Sequence, residues 1–150
     1  MKKKTVSVTQ ICKGWNDKFF NGPLFTDKGN LTNDHWLIKK EFIPKNLLKR
    51  AIKKEDGIIA EHDYFYDNIN KAAPTKKLPG RKKSEFINGY VITYTFDNGI
   101  EQEEVHFDEN YILFFERWIK DFNLKVYSSE NPAYIYSGDK LAGLLMLVME

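Results

Sequence analysis

The stretch of sequence that decides the fold is Gly89-Tyr-Val-Ile-Thr-Tyr-Thr-Phe-Asp-Asn-Gly-Ile-Glu-Gln-Glu-Glu-Val-His-Phe107. Its two arms, residues 89–96 and 100–107, alternate β-branched and aromatic residues with other types, which is typical of half-buried strands. Asn98-Gly99 lies between the arms and predicts a type I′ turn, because both residue types tolerate a positive φ. We therefore expect an antiparallel hairpin here.

A helix is predicted directly after this hairpin. Asp108 is a good N-cap, since its carboxylate can accept a hydrogen bond from a backbone N–H of the first turn. Apolar residues then recur at helical spacing to about residue 121, at Tyr111, Phe114, Phe115, Trp118, Ile119 and Phe122.

Three more strands are expected after the helix, at residues 124–128, 133–136 and 141–149. Ser137-Gly-Asp139 predicts the turn between the last two strands. The apolar run 141–149 is interpreted as a buried central strand, or as a strand whose last residues line an exposed groove. The predicted order of elements in the second half of the chain is therefore ββαβββ.

The first half is less regular. Residues 6–11 and 31–39 predict strands, and Pro44 introduces a predicted helix that ends near residue 54. Residues 58–70 fit either a strand or part of a helix. Together these elements predict an α+β fold, an antiparallel sheet with two main helices packed on one face. We expect one domain that spans residues 1–150.

Charge is divided between the two halves of the chain. Residues 1–83 carry 19 Lys and Arg against 9 Asp and Glu, whereas residues 84–150 carry 4 against 12. Such a division favours a binding protein over an enzyme, with a polyanion or an acidic protein as partner. Residues 71–85, which contain two prolines and six basic residues, predict a flexible basic loop.

The basic residues form the strongest candidate site. Lys45, Lys49 and Lys53 recur at i, i+4 and i+8, which would place them on one face of the predicted helix. The neutral alternative is a solvated helix face and a soluble loop. The candidate DNA-binding residues, which would contact the phosphate backbone, are Lys45, Lys49, Arg50, Lys53, Lys54, Lys71, Lys76, Lys77, Arg81, Lys82 and Lys83.

Patterns of catalytic residues and metal ligands are weak. Cys12 has no histidine near it in the sequence, and no Gly-x-Ser-x-Gly motif is present. The three histidines lack the spacing of metal ligands, although a site assembled in space stays open. We interpret Glu101, Glu103 and Glu104 as a solvated hairpin edge. We expect no catalytic residue, no metal and no cofactor, with a hydrolase built from scattered His, Asp and Glu as a minor alternative.

The sequence suits a reducing compartment, because a single cysteine cannot form an internal disulfide. The basic start Met1-Lys-Lys-Lys is not followed by the apolar run of a signal peptide. No segment approaches the roughly 18–20 apolar residues that cross a membrane. We therefore expect a cytoplasmic protein with no membrane partner. Its many Lys, Asn, Ile, Phe and Tyr residues suit an AT-rich bacterial or phage genome.

Several segments resemble the sliding clamps of bacterial DNA polymerases. Thr32-Asn-Asp-His-Trp-Leu37 resembles their Thr-Asp-Gly-His-Arg-Leu stretch, and Ile43-Pro-Lys45 follows as in those proteins. Val105-His-Phe-Asp-Glu-Asn-Tyr-Ile-Leu113 is similar to their Phe-Asn-x-x-Tyr-Leu junction. Residues 131–149 resemble their Ser-Pro strand and closing Met-Pro-Met-Arg-Leu. The resemblance covers roughly residues 31–50 and 90–150.

The sequence also departs from the clamp pattern. Asp34 replaces a glycine, Trp36 replaces an arginine, and Leu147 replaces the proline of the closing motif. A clamp ring is built from six domains, whereas this chain predicts one clamp-like domain. A ring would therefore require a homo-oligomer.

The resemblance implies a non-enzymatic accessory protein of DNA replication, encoded by a phage or a mobile element. It would bind DNA without sequence specificity through the basic residues and would dock peptides of replication or host proteins. By position, the peptide groove would be lined by Thr32, His35, Leu37, Met146 and Val148.

A second interpretation stays open. The chain would then be a phage or plasmid protein that inhibits a host complex as a defence inhibitor or partial DNA mimic. Its acidic hairpin, residues 101–104, would contact a basic host protein together with Asp108 and Glu109.

Overall fold

The computed structural model describes residues 6–12 and 22–150. Within this part the helices are α1 (Val8–Cys12), α2 (Lys45–Leu48) and α3 (Glu109–Trp118). The strands are β1 (Leu24–Thr26), β2 (Leu31–Thr32), β3 (Trp36–Ile38), β4 (Ile58–Ile59), β5 (Ala73–Lys77), β6 (Lys82–Lys83), β7 (Tyr90–Asp97), β8 (Gln102–Asp108), β9 (Phe122–Val126), β10 (Ala133–Ser137) and β11 (Lys140–Leu145). Short 3₁₀ turns lie at Lys40–Phe42, Lys54–Asp56, Asp63–Tyr66 and Ile69–Lys71.

The strands form one sheet in the order β4-β1-β2-β3-β11-β10-β9-β5-β7, with β6 beside β5 on one edge of β7 and β8 on the other. Every pairing is antiparallel except that of β1 with β4. The α+β fold with an antiparallel sheet is therefore confirmed. None of the helices in the described ranges is long and apolar enough to cross a membrane.

The segment after β11 joins two distant parts of the sheet. Met146 N donates to His35 O at 2.8 Å, and Val148 N donates to His106 O of β8 at the same distance. His106 and Val148 form an isolated antiparallel bridge. The C-terminal segment is thus tied both to the turn between β2 and β3 and to the far edge of the hairpin.

The main core lies between the sheet and the helices. Phe114 and Phe115 of α3 are buried there, and Trp36 of β3 meets Phe115 edge to face with ring centroids 5.6 Å apart. Ile11 of α1 and Leu47 of α2 complete the same core. Burying each large apolar side chain contributes about 1.5–3 kcal/mol, so aromatic packing around α3 is a main source of stability.

A smaller cluster covers the opposite face of the central strands. Leu37, Tyr134 and Leu144 are buried there against Phe65 and its neighbours in the 3₁₀ turns. Tyr134 Oη donates to Phe65 O at 3.0 Å, which fixes this covering segment to the sheet. Because both faces of β3, β10 and β11 are covered, their sequences are almost continuously apolar.

The predicted strand at residues 6–11 is wrong, because the chain forms helix α1 there. The carbonyl oxygen of Ile11 accepts from Asn33 Nδ2 at 2.9 Å and from Trp36 Nε1 at 3.0 Å. These side chains satisfy a carbonyl that a helix end leaves without an intrahelical partner. Distant contacts thus stabilise a helix that the alternating sequence does not favour.

The predicted helix over residues 45–54 is also too long, because α2 ends at Leu48. Ile52 N donates to Pro23 O at 2.9 Å, and an added Cβ at Gly22 would lie 2.1 Å from Arg50 O. This close backbone approach replaces further helical turns. Lys53 is extended, with φ −61° and ψ 143°. The predicted stripe of Lys45, Lys49 and Lys53 therefore does not exist.

The loop predicted over residues 71–85 instead contains two strands, β5 and β6. β5 pairs with β9 through Ala73 and Pro74 and with β7 through residues 75–77, so it joins two parts of the sheet. Thr75 Oγ1 strengthens this position by donating to Leu124 O at 2.8 Å. The proline and lysine content indicated a loop, but the backbone is paired along both ends of the strand.

Two boundaries also differ. Residues 31–39 form two strands separated by a turn at residues 33–35, and the last strand ends at Leu145 rather than at residue 149.

The β7–β8 connection is a four-residue loop, not a type I′ turn, because only Gly99 has a positive φ there. Asn98 Oδ1 accepts from the N–H groups of Ile100 and Glu101, each at 2.8 Å. The hairpin, α3 and the three following strands are confirmed.

Candidate functional site

A cavity of about 340 Å³ opens on the sheet face opposite the helices. It lies between the turn at residues 33–35, the end of β11 and the segment around residues 59–65. Four of the five residues predicted for a peptide groove line it, namely Thr32, His35, Leu37 and Met146. Val148 does not, because it pairs with His106 instead.

The turn at residues 33–35 is held by its own side chains. Asn33 Oδ1 accepts from the N–H groups of His35 at 2.9 Å and Trp36 at 3.0 Å. Thr32 Oγ1 donates to Trp36 O at 2.6 Å and accepts from Asp34 N at 3.1 Å. Asp34 has a φ of +78°, in the left-handed region that favours glycine. This wall of the cavity is therefore shaped before any ligand arrives.

His35 is fixed from two directions at the rim of the cavity. Its ring stacks on Tyr111 of α3 with centroids 6.1 Å apart and an angle of 27° between the planes. Its carbonyl accepts the hydrogen bond from Met146 N. The imidazole is half-buried, so one part of it faces solvent while the other part is packed.

The floor of the cavity is apolar. Leu37 and Leu144 are direct neighbours on adjacent strands and are both buried. Met146 follows Leu144 by two positions and lines the same cavity, but 46% of its surface is exposed. A polarisable thioether at the mouth of an apolar cavity can pack against side chains of different shapes.

The opposite wall is polar and buried. Glu61 is only 8% exposed, and its Oε1 accepts from Thr26 Oγ1 at 2.9 Å and from Asn30 Nδ2 at 2.7 Å. Its Oε2 accepts from Tyr66 Oη at 2.9 Å. Burial, together with the hydrogen bond and the charge of Glu61, raises the pKa of Tyr66 far above its usual range. These bonds satisfy a buried carboxylate without a cation.

Sequence reasoning missed Glu61 as part of this site. In the sequence, Glu61 is one of two acidic residues that flank His62, and this pattern does not indicate a buried carboxylate. Two of the three side chains that donate to Glu61 are far away in the sequence, since Thr26 and Asn30 precede it by 35 and 31 positions, whereas Tyr66 follows it by five. No local pattern indicates such a network.

Five of the predicted DNA-binding residues lie between residues 45 and 54, and the structure disperses them. Lys45 and Lys49 are exposed at the two ends of α2 and line a second groove. The guanidinium of Arg50 donates to Thr9 Oγ1. Lys53 is exposed, and Lys54 Nζ lies 5.2 Å from the ring centroid of Phe25. These five residues do not share one face.

Five more predicted DNA-binding residues lie on β5, β6 and the turn between these strands. Lys71, which precedes β5, is exposed. Lys77 pairs with Glu116 of α3 at 3.0 Å, and Arg81 pairs with Glu109 at 3.1 Å. The Arg81 guanidinium also lies 3.7 Å from the ring centroid of Tyr90. The three remaining residues are exposed and form no ion pair with a described residue: Lys76, Lys82 and Lys83.

The acidic hairpin is only partly directed to solvent. Glu101 and Glu104 are exposed, and Glu103 Oε2 accepts from Asn98 Nδ2 at 2.8 Å. Asp108 is the N-cap of α3, as predicted, and accepts from Asn110 N at 2.9 Å. Glu109 is buried beside Arg81, so the prediction that it contacts a partner directly is wrong.

Cys12 is buried, and burial raises the pKa of its thiol, which disfavours the reactive thiolate. Within residues 6–12 and 22–150, no group of three or more His, Cys, Asp or Glu side chains is placed to hold a metal ion.

No protein-family model matches this sequence, and no curated protein or solved structure is significantly similar to it. The geometry of the cavity is therefore the main observation from which a function can be proposed.

Proposed function

We propose that this chain is a non-enzymatic, sliding-clamp-like accessory protein of DNA replication that docks a short peptide of a partner protein. One observation carries this proposal. Thr32, His35, Leu37 and Met146 line the same cavity although Met146 is about 110 positions from the other three, and the resemblance to sliding clamps implies a peptide groove at these four positions. Such a coincidence is what a divergent clamp-like groove requires.

The cavity suits an apolar peptide anchor. Its volume of about 340 Å³ is at the small end of the range for ligand pockets, about 300–1,000 Å³, so it fits one or two large side chains. Leu37, Leu144 and Met146 would surround a Leu, Phe or Met anchor and remove it from water. His35 at the rim can form a hydrogen bond with the peptide backbone. The Thr32 hydroxyl is engaged by the turn, so its role is to shape the wall.

The backbone conformation of Asp34 also supports the proposal. Sliding clamps have glycine at the corresponding position, and the φ of +78° at Asp34 is one that glycine adopts without strain. Aspartate is among the few other residues that enter this region with moderate frequency. The substitution is therefore compatible with a turn of the same shape.

The test compares two exposed methionines. A library of short fluorescein-labelled peptides with central Leu and Phe residues would be screened by fluorescence anisotropy. We expect M146D to weaken the best binder at least about tenfold, roughly 1.4 kcal/mol. The matched control is M149D, because Met149 is 64% exposed and lies outside the cavity lining. Equal binding by the two variants, or no binder in the library, would refute the proposal.

The alternative of a host-complex inhibitor is favoured by one observation. Ile100 at the hairpin tip is 93% exposed, between the exposed carboxylates of Asp97 and Glu101. An apolar residue surrounded by acids suits a basic partner that has an apolar pocket. This function predicts binding to a protein in competition with DNA, whereas the clamp-like function predicts direct binding of DNA. Light scattering with and without DNA separates them and also measures the oligomeric state.

A further inference from the structure

A second groove lies between α2 and the C-terminal end of α3. Its volume is about 600 Å³, and its floor is formed by Phe42, Ile43 and Pro44. Trp118, the last residue of α3, forms one side and leaves 47% of its surface exposed. The other aromatic residues of the same helix are buried, so Trp118 is the exception.

Three lysines surround this tryptophan. Lys45 and Lys49 come from α2 and Lys120 follows α3, and all three line the groove and are exposed. None of them forms an ion pair with a residue in the described part of the chain. Glu41 is the single acid among the described lining residues. The groove therefore combines an accessible indole with an excess of positive charge.

Trp118 is also held in place. Its ring lies 6.3 Å from that of Phe114, centroid to centroid, and the Arg117 guanidinium lies 5.5 Å from the Trp118 ring centroid. These contacts restrict the orientation of the ring without burying it. A fixed, half-exposed aromatic ring is a suitable platform for a planar ligand.

We propose that this groove binds single-stranded nucleic acid, with a base stacked on Trp118 and phosphates beside Lys45, Lys49 and Lys120. Stacking on an aromatic side chain requires an unstacked base, which a single strand supplies and a duplex does not. Lysine contacts to phosphate add affinity through counterion release. This binding mode differs from loose contact with duplex DNA, and it is independent of the peptide cavity because the two sites share no lining residue.

The basic surface of β5 and β6 is the natural comparison. It also has an exposed aromatic residue, Phe86, which is 66% exposed. However, Lys77 and Arg81 are already paired with carboxylates there. The groove beside Trp118 is the stronger site because it is concave and because all three of its lysines, rather than only some, lack an acidic partner in the described part of the chain.

The test measures anisotropy of a labelled oligothymidylate of about 12 nucleotides, a length within the usual site size. We expect W118A to weaken binding about tenfold or more. The double variant K45Q/K49Q should lower the slope of log affinity against log salt by about 1.4. K82Q/K83Q is the matched control for charge and F86A for the exposed aromatic residue, and both should bind as wild type.

Three further probes separate the sources of binding. A duplex of the same length should bind more weakly than the single strand, and polyglutamate should not compete. An oligouridylate tests whether RNA serves as well as DNA, and tight binding of either single strand supports the site. Quenching of tryptophan fluorescence should accompany binding and disappear in W118F, which keeps an aromatic ring for folding.

The proposal is overturned if W118A and W118F bind the single strand as wild type does. It is also overturned if the duplex binds at least as tightly, if polyglutamate competes, or if the loss appears in K82Q/K83Q or F86A instead. Circular dichroism checks that each variant is folded, and K45Q/K49Q decides the outcome if the tryptophan variants are not.

Discussion

The cavity proposed for a peptide and the groove beside Trp118 differ in their chemical construction. The cavity is built from buried groups whose hydrogen bonds are already satisfied, with Glu61 and Asn33 at the centre of two networks. The groove presents exposed lysines without acidic partners and a half-exposed indole. We therefore expect the cavity to select ligands by shape and apolar surface, and the groove to select them by charge and stacking.

The largest effect should come from breaking the network that shapes the cavity. N33A removes the acceptor of two backbone N–H groups and the donor to Ile11 O. Because these groups are buried, we expect the free energy of unfolding to fall by about 2–4 kcal/mol, measured by urea denaturation. N88A, at an exposed loop position, is the control and should change stability little. A similar stability for both variants would show that the turn is not held by Asn33.

A smaller effect is expected from salt, which should weaken binding at one site more than at the other. Raising NaCl from about 0.05 to 0.2 M should weaken single-strand binding about 20-fold if three lysines contact phosphates. Binding of an uncharged apolar peptide to the cavity should change less than about twofold over the same range, because the anchor carries no charge. Parallel anisotropy titrations measure both. Equal salt dependence of the two ligands would abolish the distinction.

The smallest effect concerns Tyr66 in the wall of the cavity. Its folded pKa is raised, by burial first and by Glu61 second, so the folded state holds the phenolic proton more tightly than the unfolded state. The stability from this difference is present below the unfolded pKa, about 10, and is lost as pH rises above it. Y66F should therefore lose less stability than wild type between about pH 9 and 11. Parallel curves of stability against pH for the two proteins would contradict this assignment.

The sequence predicts the elements whose signals are local. The alternation in β7 and β8, the N-cap Asp108 and the helical spacing after it lie within a few residues of one another, so the hairpin and α3 could be predicted. The conformations of α1, α2 and β5 depend on contacts with residues that are far away in the sequence. Ile11 is held by Asn33 and Trp36, and Ile52 by Pro23. Such contacts override local propensity.

The candidate site residues also differ in whether the local sequence indicates them. Thr32, His35, Leu37 and Met146 were predicted because short segments resemble a known groove, and the structure brings these residues together. Trp118 was assigned to the apolar face of α3, since helical spacing does not reveal that the helix ends at that residue. Glu61 had no local signal at all. The sequence therefore indicated four residues that share a cavity and two lysines of the second groove, but not the polar wall or the exposure of Trp118.

Entry of a peptide anchor into the cavity beside Met146 can be measured by ¹³C-methyl NMR of methionine. The chain has three methionines, Met1, Met146 and Met149, so the spectrum holds three signals that single substitutions can assign. During titration with the tightest library peptide, we expect a saturable shift of the Met146 signal and a nearly constant Met149 signal. A constant Met146 signal while the peptide is bound would contradict this expectation.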